Sequence, residues 1–340
     1  MAAATAAQEA SDTAKQVADS AMIASTEMNK RDPGTLVVYS GRSESLVGPI
    51  IEQFGEVTGV DVQVKYGSTF EIAATLLEEG SNSPADVFFA QDPGGLGAVS
   101  GMLTPLPSDV VLKVPEWARS PDGSWVGISG RARVIVYSTE LVSEDELPTS
   151  VKDLTDPKWK GMIGWPPTNA SFRTMVTAMR MMWGEDETRQ WLMDMQANEP
   201  GVFPKNTPIV AGAGAGEVAF GLVNHYYLHR FIQEEGDEFA ARNLFLKNGG
   251  PDSLIMVAGA GILGTSENRD NAEAFMRFML SKVAQQYFAG QTFEYPLVEG
   301  VKTHRLLPPI DTLNGPDIDL SMLSDLQGTD ALLRETGVVP

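Results

Sequence analysis

The chain has 340 residues, 43% hydrophobic and 21% charged, which is a globular composition at a length suited to two domains. Lys and Arg number 25 against 45 Asp and Glu, so the formal net charge is -20, which disfavours nucleic acid and anionic lipid, whose phosphates need a basic face. There is no cysteine and there are three histidines, His225, His229 and His304, which excludes disulfides, zinc–thiolate sites, iron–sulfur clusters, thiol nucleophiles and any imidazole-rich metal site.

Residues 1–34 are rich in Ala, Ser, Thr and charge and read as a solvated leader or spacer. They lack a basic start followed by an apolar core, so they are not an intact signal peptide; for an exported protein the expectation is a trimmed signal replaced by Met1. No apolar run reaches the roughly 20 residues that a bilayer-spanning helix needs. Thr35 to Ser40 is a short β-branched run and predicts a buried strand. Leu46, Val47, Ile50, Ile51, Phe54 and Val57 then share one face of a helix closed by Gly59, with Pro49 near its first turn. Val60 to Tyr66 alternates as a second strand. Ser68 and Glu71 have capping-box spacing and open a helix that ends at Gly80. Ala85 to Ala90 is a third strand, so the first part reads as a doubly wound α/β pattern on a parallel sheet.

Further strands are expected at 131–138, near 162–165, at 218–223 and at 254–259. Helices are expected over 171–183, 185–196, up to about 235, 271–280, 283–288 and 331–336. Met175, Met179, Met182 and Trp183 form a stripe at helical spacing and are expected in the core.

Few of the motifs carry chemistry. Gly212 to Gly216 lacks the Lys-Ser/Thr of a phosphate loop and precedes a strand instead of following one. His225 and His229 are four apart, but Tyr226 stands where a zincin motif needs Glu, so the pair reads as surface or packing. No G-x-S-x-G is present and no general base is positioned, which argues against an enzyme. Tyr226-Tyr227 leaves two readings. Two phenol oxygens that converge at an irregular helix start could bind a hard cation such as Fe3+, which is acidic enough to ionise them at neutral pH. Alternatively, two aromatic rings line a cleft or pack in a core. Pro167-Thr168-Asn169-Ala170-Ser171 opens a helix and is either an anion seat or an ordinary N-cap. Arg42 follows the first strand, at the end where open α/β sheets present ligands.

Taken in order, the runs VVYSGRSE at 37–44, SPADVFFAQD at 83–92, SGRARVIVYS at 129–138, IGWPPTNASF at 163–172, KN at 205–206, NHYYLHRF at 224–231 and EYPLVEGV at 294–301 are similar to one family. From about residue 35 onward the chain resembles the ferric-ion-binding proteins of bacterial ABC importers, a branch of the periplasmic substrate-binding superfamily. The resemblance implies a two-lobe α/β periplasmic-binding-protein fold, each lobe a mixed, mostly parallel sheet flanked by helices. Two hinge strands join the lobes and ligand lies in the cleft between them. The expected lobes are 35–131 with 260–308, and 132–259 with 309–340. The resemblance further implies Tyr226 and Tyr227 as iron ligands. It places a synergistic carbonate or bicarbonate against Arg42, Asn169, Ala170 and Ser171, with Asn206 and Asn224 nearby.

The chain also departs from the pattern. Ser43, Gln91 and Asn169 stand where many members carry His, Glu and a third Tyr. Two protein ligands remain, and anions, water, Glu44 or Asp92 would complete the shell; Arg131 is a further cleft candidate. The implied role is capture of Fe3+ outside the cytoplasm, with or without a lipid anchor, by a monomer that delivers it to an inner-membrane ABC permease. The alternative is the same scaffold holding a small anion or organic ligand, with the tyrosines as cleft walls.

Overall fold

The computed structural model describes residues 33–340; the leader reading falls almost wholly outside them. Ten strands follow in order: β1 Thr35–Ser40, β2 Asp61–Tyr66, β3 Val87–Ala90, β4 Leu103–Thr104, β5 Trp125–Ser138, β6 Ile163–Trp165, β7 Gly201–Val202, β8 Phe220–Asn224, β9 Ala241–Leu244 and β10 Ile255–Leu263. They pair in the order β2-β1-β3-β10-β5-β8-β6-β7, with β4 on β10 and β9 on β5. β1 runs parallel to both β2 and β3, as the strand–helix alternation predicts. β10 then enters antiparallel, and so does β5 beside it.

β5 is the strand that joins the two halves. Its first part, through Ala132, pairs with β10; from Arg133 it pairs with β8 and β9 instead. The sequence reading begins this strand six residues late. Gly127 and Gly130 interrupt the β-branched pattern there, but they are needed: a Cβ on Gly127 would come within 2.8–2.9 Å of Leu297, the Ala118 carbonyl and Val257. Extended backbone packed this closely on both faces gives no hydrophobic periodicity to read.

The apolar faces sort into separate cores. Val38, Phe54, Phe88, Ile262 and Phe288 fill the first around the parallel strands. Trp165, Phe172, Met175, Trp191 and Phe220 fill a second, and Val136, Ile209, Val223 and Leu228 fill a third across β5 and β8. In the methionine stripe, Met175 and Met179 are buried, whereas Met182 is 38% exposed because the Ala170–Met182 helix ends there. Pro49 sits inside the Glu44–Thr58 helix, one turn deeper than the apolar pattern suggested. The capping box at Ser68 and Glu71 is present in both directions. Gly212 and Gly214 lie in the Asn206–Gly214 helix, so this glycine run is largely helical. The C-terminal tail spans both halves. Its Leu320–Ser324 turn packs on the Pro93–Ala98 helix, and its Leu326–Glu335 helix packs on Ala170–Met182.

Candidate functional site

The C-terminal ends of β1 and β3, the start of the Ala170–Met182 helix and the junction after β8 meet at one cleft of about 530 Å³. Ser43, Glu44, Gln91, Asn169, Ala170 and Tyr227 line it. Gly41 directs the chain out of β1: a Cβ there would lie 2.3 Å from Thr69 Oγ1 and 2.8 Å from Thr69 Cα. Arg42 consequently turns inward and is 1% exposed, whereas Ser43 and Glu44 are exposed at the cleft mouth.

Asn169 caps the Ala170–Met182 helix, accepting the Ser171 backbone N–H at 3.1 Å. Ser171 Oγ accepts hydrogen bonds from Gln91 Nε2 at 2.8 Å and Asn224 Nδ2 at 3.1 Å, which leaves its own O–H uncommitted. Asn206 is buried, its amide reaches Asn169 at 3.5 Å, and its Oδ1 has no partner. Asp92 is the cap of the Pro93–Ala98 helix: Oδ1 accepts from Gly95 N–H at 3.2 Å and from Thr174 Oγ1 at 3.1 Å. Burial pushes its carboxyl up, against the opposing pull of Gly95 and Arg131.

β8 ends at Asn224, and His225 already has helical backbone angles, so the chain passes from extended to helical in one step. At this junction the Tyr226 and Tyr227 rings lie 4.3 Å apart at 32°. Tyr226 is fully buried, and its hydroxyl has no well-placed hydrogen-bond partner. Burial, reinforced by Tyr226, pushes the Tyr227 phenol up, while Arg42 pulls it down. His225 is structural: Nδ1 accepts the Ala132 N–H at 3.1 Å, so Nε2 carries the proton donated to the Phe293 carbonyl at 2.7 Å. Burial lowers it to about 3, which keeps it neutral. His229 stacks on Phe293 at 5.3 Å and is lowered to about 4, again by burial.

Three guanidinium groups surround the tyrosines. Arg42, Arg131 and Arg133 are all buried, and the Arg131 guanidinium lies 5.8 Å from the centre of the Tyr226 ring. Arg42 Nη2 donates to Glu294 Oε2 at 2.7 Å, and Arg131 Nη2 lies 3.5 Å from Glu294 Oε1. Arg133 Nη1 donates to Asn224 Oδ1 at 3.0 Å, and burial lowers its pKa to about 9. Nitrogens on all three remain without hydrogen-bond partners: Nε and Nη1 of Arg42, all three of Arg131, and Nε and Nη2 of Arg133. Three guanidinium charges face two buried carboxylates, Glu294 and, near Arg131, Asp92, so positive charge predominates. Buried unpartnered donors each cost about 1–3 kcal/mol, so the arrangement suits negatively charged oxygen.

The structure thus brings Tyr226, Tyr227, Arg42, Arg131, Asn169, Ala170, Ser171, Asn206, Asn224 and Gln91 into one neighbourhood. Arg133 and Glu294 were missed by sequence reasoning. Arg131 and Arg133 are two apart on a strand and therefore share a face, a signal that could have revealed Arg133. Glu294 lies in an irregular segment 252 residues from the arginine it binds, and no local pattern announces it.

The chain matches the bacterial extracellular solute-binding protein family over residues 81–313. It belongs to that family. This solute-binding protein is 32% identical to the major ferric iron-binding protein of Neisseria meningitidis, over 89% of this chain and 93% of the relative. Its structure is similar to iron-bound HitA from Pseudomonas aeruginosa, with a TM-score of 0.86 and 30% identity, covering 90% of this chain and all of that one. It is also similar to the Trichodesmium protein IdiA (FutA) in complex with iron and citrate, with a TM-score of 0.76 and 27% identity over 89% and 99% of the two chains. The fold is therefore the two-lobe α/β fold of periplasmic binding proteins, and the family is one of transport proteins, not enzymes.

Proposed function

We propose that this solute-binding protein captures Fe3+ together with a small oxyanion in the cleft and delivers it to an ABC permease in the membrane. The observation that carries this reading is the charge balance around the tyrosines. Buried positive charge lowers the cost of ionising a neighbouring phenol, and Arg42 acts in this direction on Tyr227. Hard phenolate oxygens suit a hard trivalent cation, and the iron-bound relatives agree with this choice. Tyr226 and Tyr227 would supply two ligands. Arg42, with Arg131 beside it, and the helix start at Asn169, Ala170 and Ser171 would hold carbonate, bicarbonate or a similar anion that fills the rest of the shell. Ser43, Glu44 and Gln91 would border the ion on the other side of the cleft. Asp92 would act through its cap on the Pro93–Ala98 helix.

The two lobes, 35–131 with 260–308 and 132–259 with 309–340, would close over the pair. Family membership supports a location outside the cytoplasm. An anion-only reading rests on the same unpartnered guanidinium nitrogens. Ferric titration in bicarbonate buffer separates the two: a visible phenolate-to-iron charge-transfer band is expected, and a colourless protein that still binds oxyanions would favour the anion-only reading.

A further inference from the structure

Glu294 is fully buried, yet it is neither a ligand of the ion nor a contact of the anion in the reading above. Its Oε2 accepts from Arg42 Nη2 and from Thr292 Oγ1 at 2.9 Å; its Oε1 accepts from Ser129 Oγ at 3.1 Å and faces Arg131. Burial favours its neutral form, but Arg42 and Arg131 outweigh this and hold the carboxyl below the ordinary carboxylate range. The segment that carries it is pinned twice. Tyr295 exchanges two 2.8 Å backbone hydrogen bonds with Gly130 on β5, and the Phe293 carbonyl accepts from His225, next to the tyrosines. The carboxylate is thus fixed with respect to both the arginines and the ligand helix.

We propose that Glu294 is a positioning residue that sets the charge balance of the cleft: it orients Arg42 and Arg131 and limits the cleft's affinity for anions alone. Without its charge, the positive excess around the tyrosines grows by one. A free oxyanion is then attracted more strongly and a trivalent metal is repelled. At the short range and intermediate dielectric of a partly enclosed cleft, one unit charge shifts each affinity by about tenfold. The metal half of this inference rests on the ferric reading; the anion half does not.

Glu294→Gln keeps the volume and the acceptor towards Arg42 and removes the charge. In the full chain, citrate binding to metal-free protein is measured by calorimetry, and Fe3+ affinity by chelator competition in bicarbonate buffer. Citrate should bind about tenfold tighter and iron about tenfold weaker than in wild type, opposite signs that a merely structural role would not give. Glu294→Asp should keep both within about threefold, since it keeps the charge. Where Glu294→Gln alone does not fold, the same charge step runs from Arg131→Met to the Arg131→Met/Glu294→Gln double variant, and citrate affinity should again rise. Citrate and iron affinity falling together, or neither moving, would overturn the proposal. If wild type takes no iron while citrate still tightens in the variant, the ferric reading fails and the charge role stands.

Discussion

Tyr226 and Tyr227 differ in setting although they are adjacent. Tyr226 is enclosed, whereas Tyr227 faces the cleft. Replacing either by Phe keeps ring packing and removes one anionic donor. Iron affinity should fall by more than the roughly 10–100-fold that loss of an outer-shell partner costs. The charge-transfer band should weaken in each single variant while thermal stability stays close to wild type; unchanged titrations in both would remove iron from the function.

Acid should release the metal. The Tyr227 phenol is pushed up, so its protonated form dominates in the empty cleft, and on the ferric reading the ion takes the deprotonated form. Binding therefore expels protons, and affinity rises with pH and is lost as pH falls. With the Tyr227 proton expelled the change approaches about 10-fold per pH unit, which titrations across the neutral range would read directly. Arg42→Ala should weaken iron binding in bicarbonate buffer but not in carbonate-depleted buffer, where loss of a positive charge favours the metal. Equal affinities in all four combinations would eliminate the anion.

Among the helices, Pro93–Ala98 links β3 and β10 to the C-terminal tail. Asp92 caps it and accepts from Thr174 on the opposing helix, and Gly94 and Gly97 admit the tail. A Cβ on Gly97 would lie 2.5 Å from Ser324 Cβ, and one on Gly94 would lie 2.8 Å from the Leu323 carbonyl. Gly97→Ala should therefore displace the Leu320–Ser324 turn and cost about 1–3 kcal/mol in urea unfolding, the usual range for overpacking. Gly101, with no atom within 4 Å of its would-be Cβ, supplies the control. Arg131 and Arg133 are carried by β5, whereas Arg42 depends on the close approach of Gly41 to Thr69.

For the molecule as a whole, the hydrogen bonds from Gln91 to Ser171 and from Thr174 to Asp92 link the two sides of the cleft among the described residues. Thr174→Val removes the second and leaves Asp92 Oδ1 with the Gly95 N–H alone. The closed arrangement loses stability relative to an open one. Iron should therefore dissociate faster with little change in its rate of capture, since affinity changes within one site fall mainly on dissociation. Stopped-flow transfer to a chelator measures both; a slowed capture with unchanged release would contradict cross-cleft closure.

The sequence alone determined what depends on short spacing. Apolar periodicity placed β1 to β3 and their helices, the Ser68 box fixed a helix start, and the order of motifs pointed to the family. Asn169 and the tyrosine pair were legible because a cap and a dipeptide are local. Tertiary structure decided what depends on distant residues sharing one volume. Arg42 gains its partner only when residue 294 is folded back beside β5, and Asp92 becomes a cap tied to Thr174 only when the opposing helix arrives. The charge excess around the tyrosines is likewise a property of burial. The same three arginines on a solvated surface would be screened, and a chain with formal net charge -20 gives no hint that its cleft is positive.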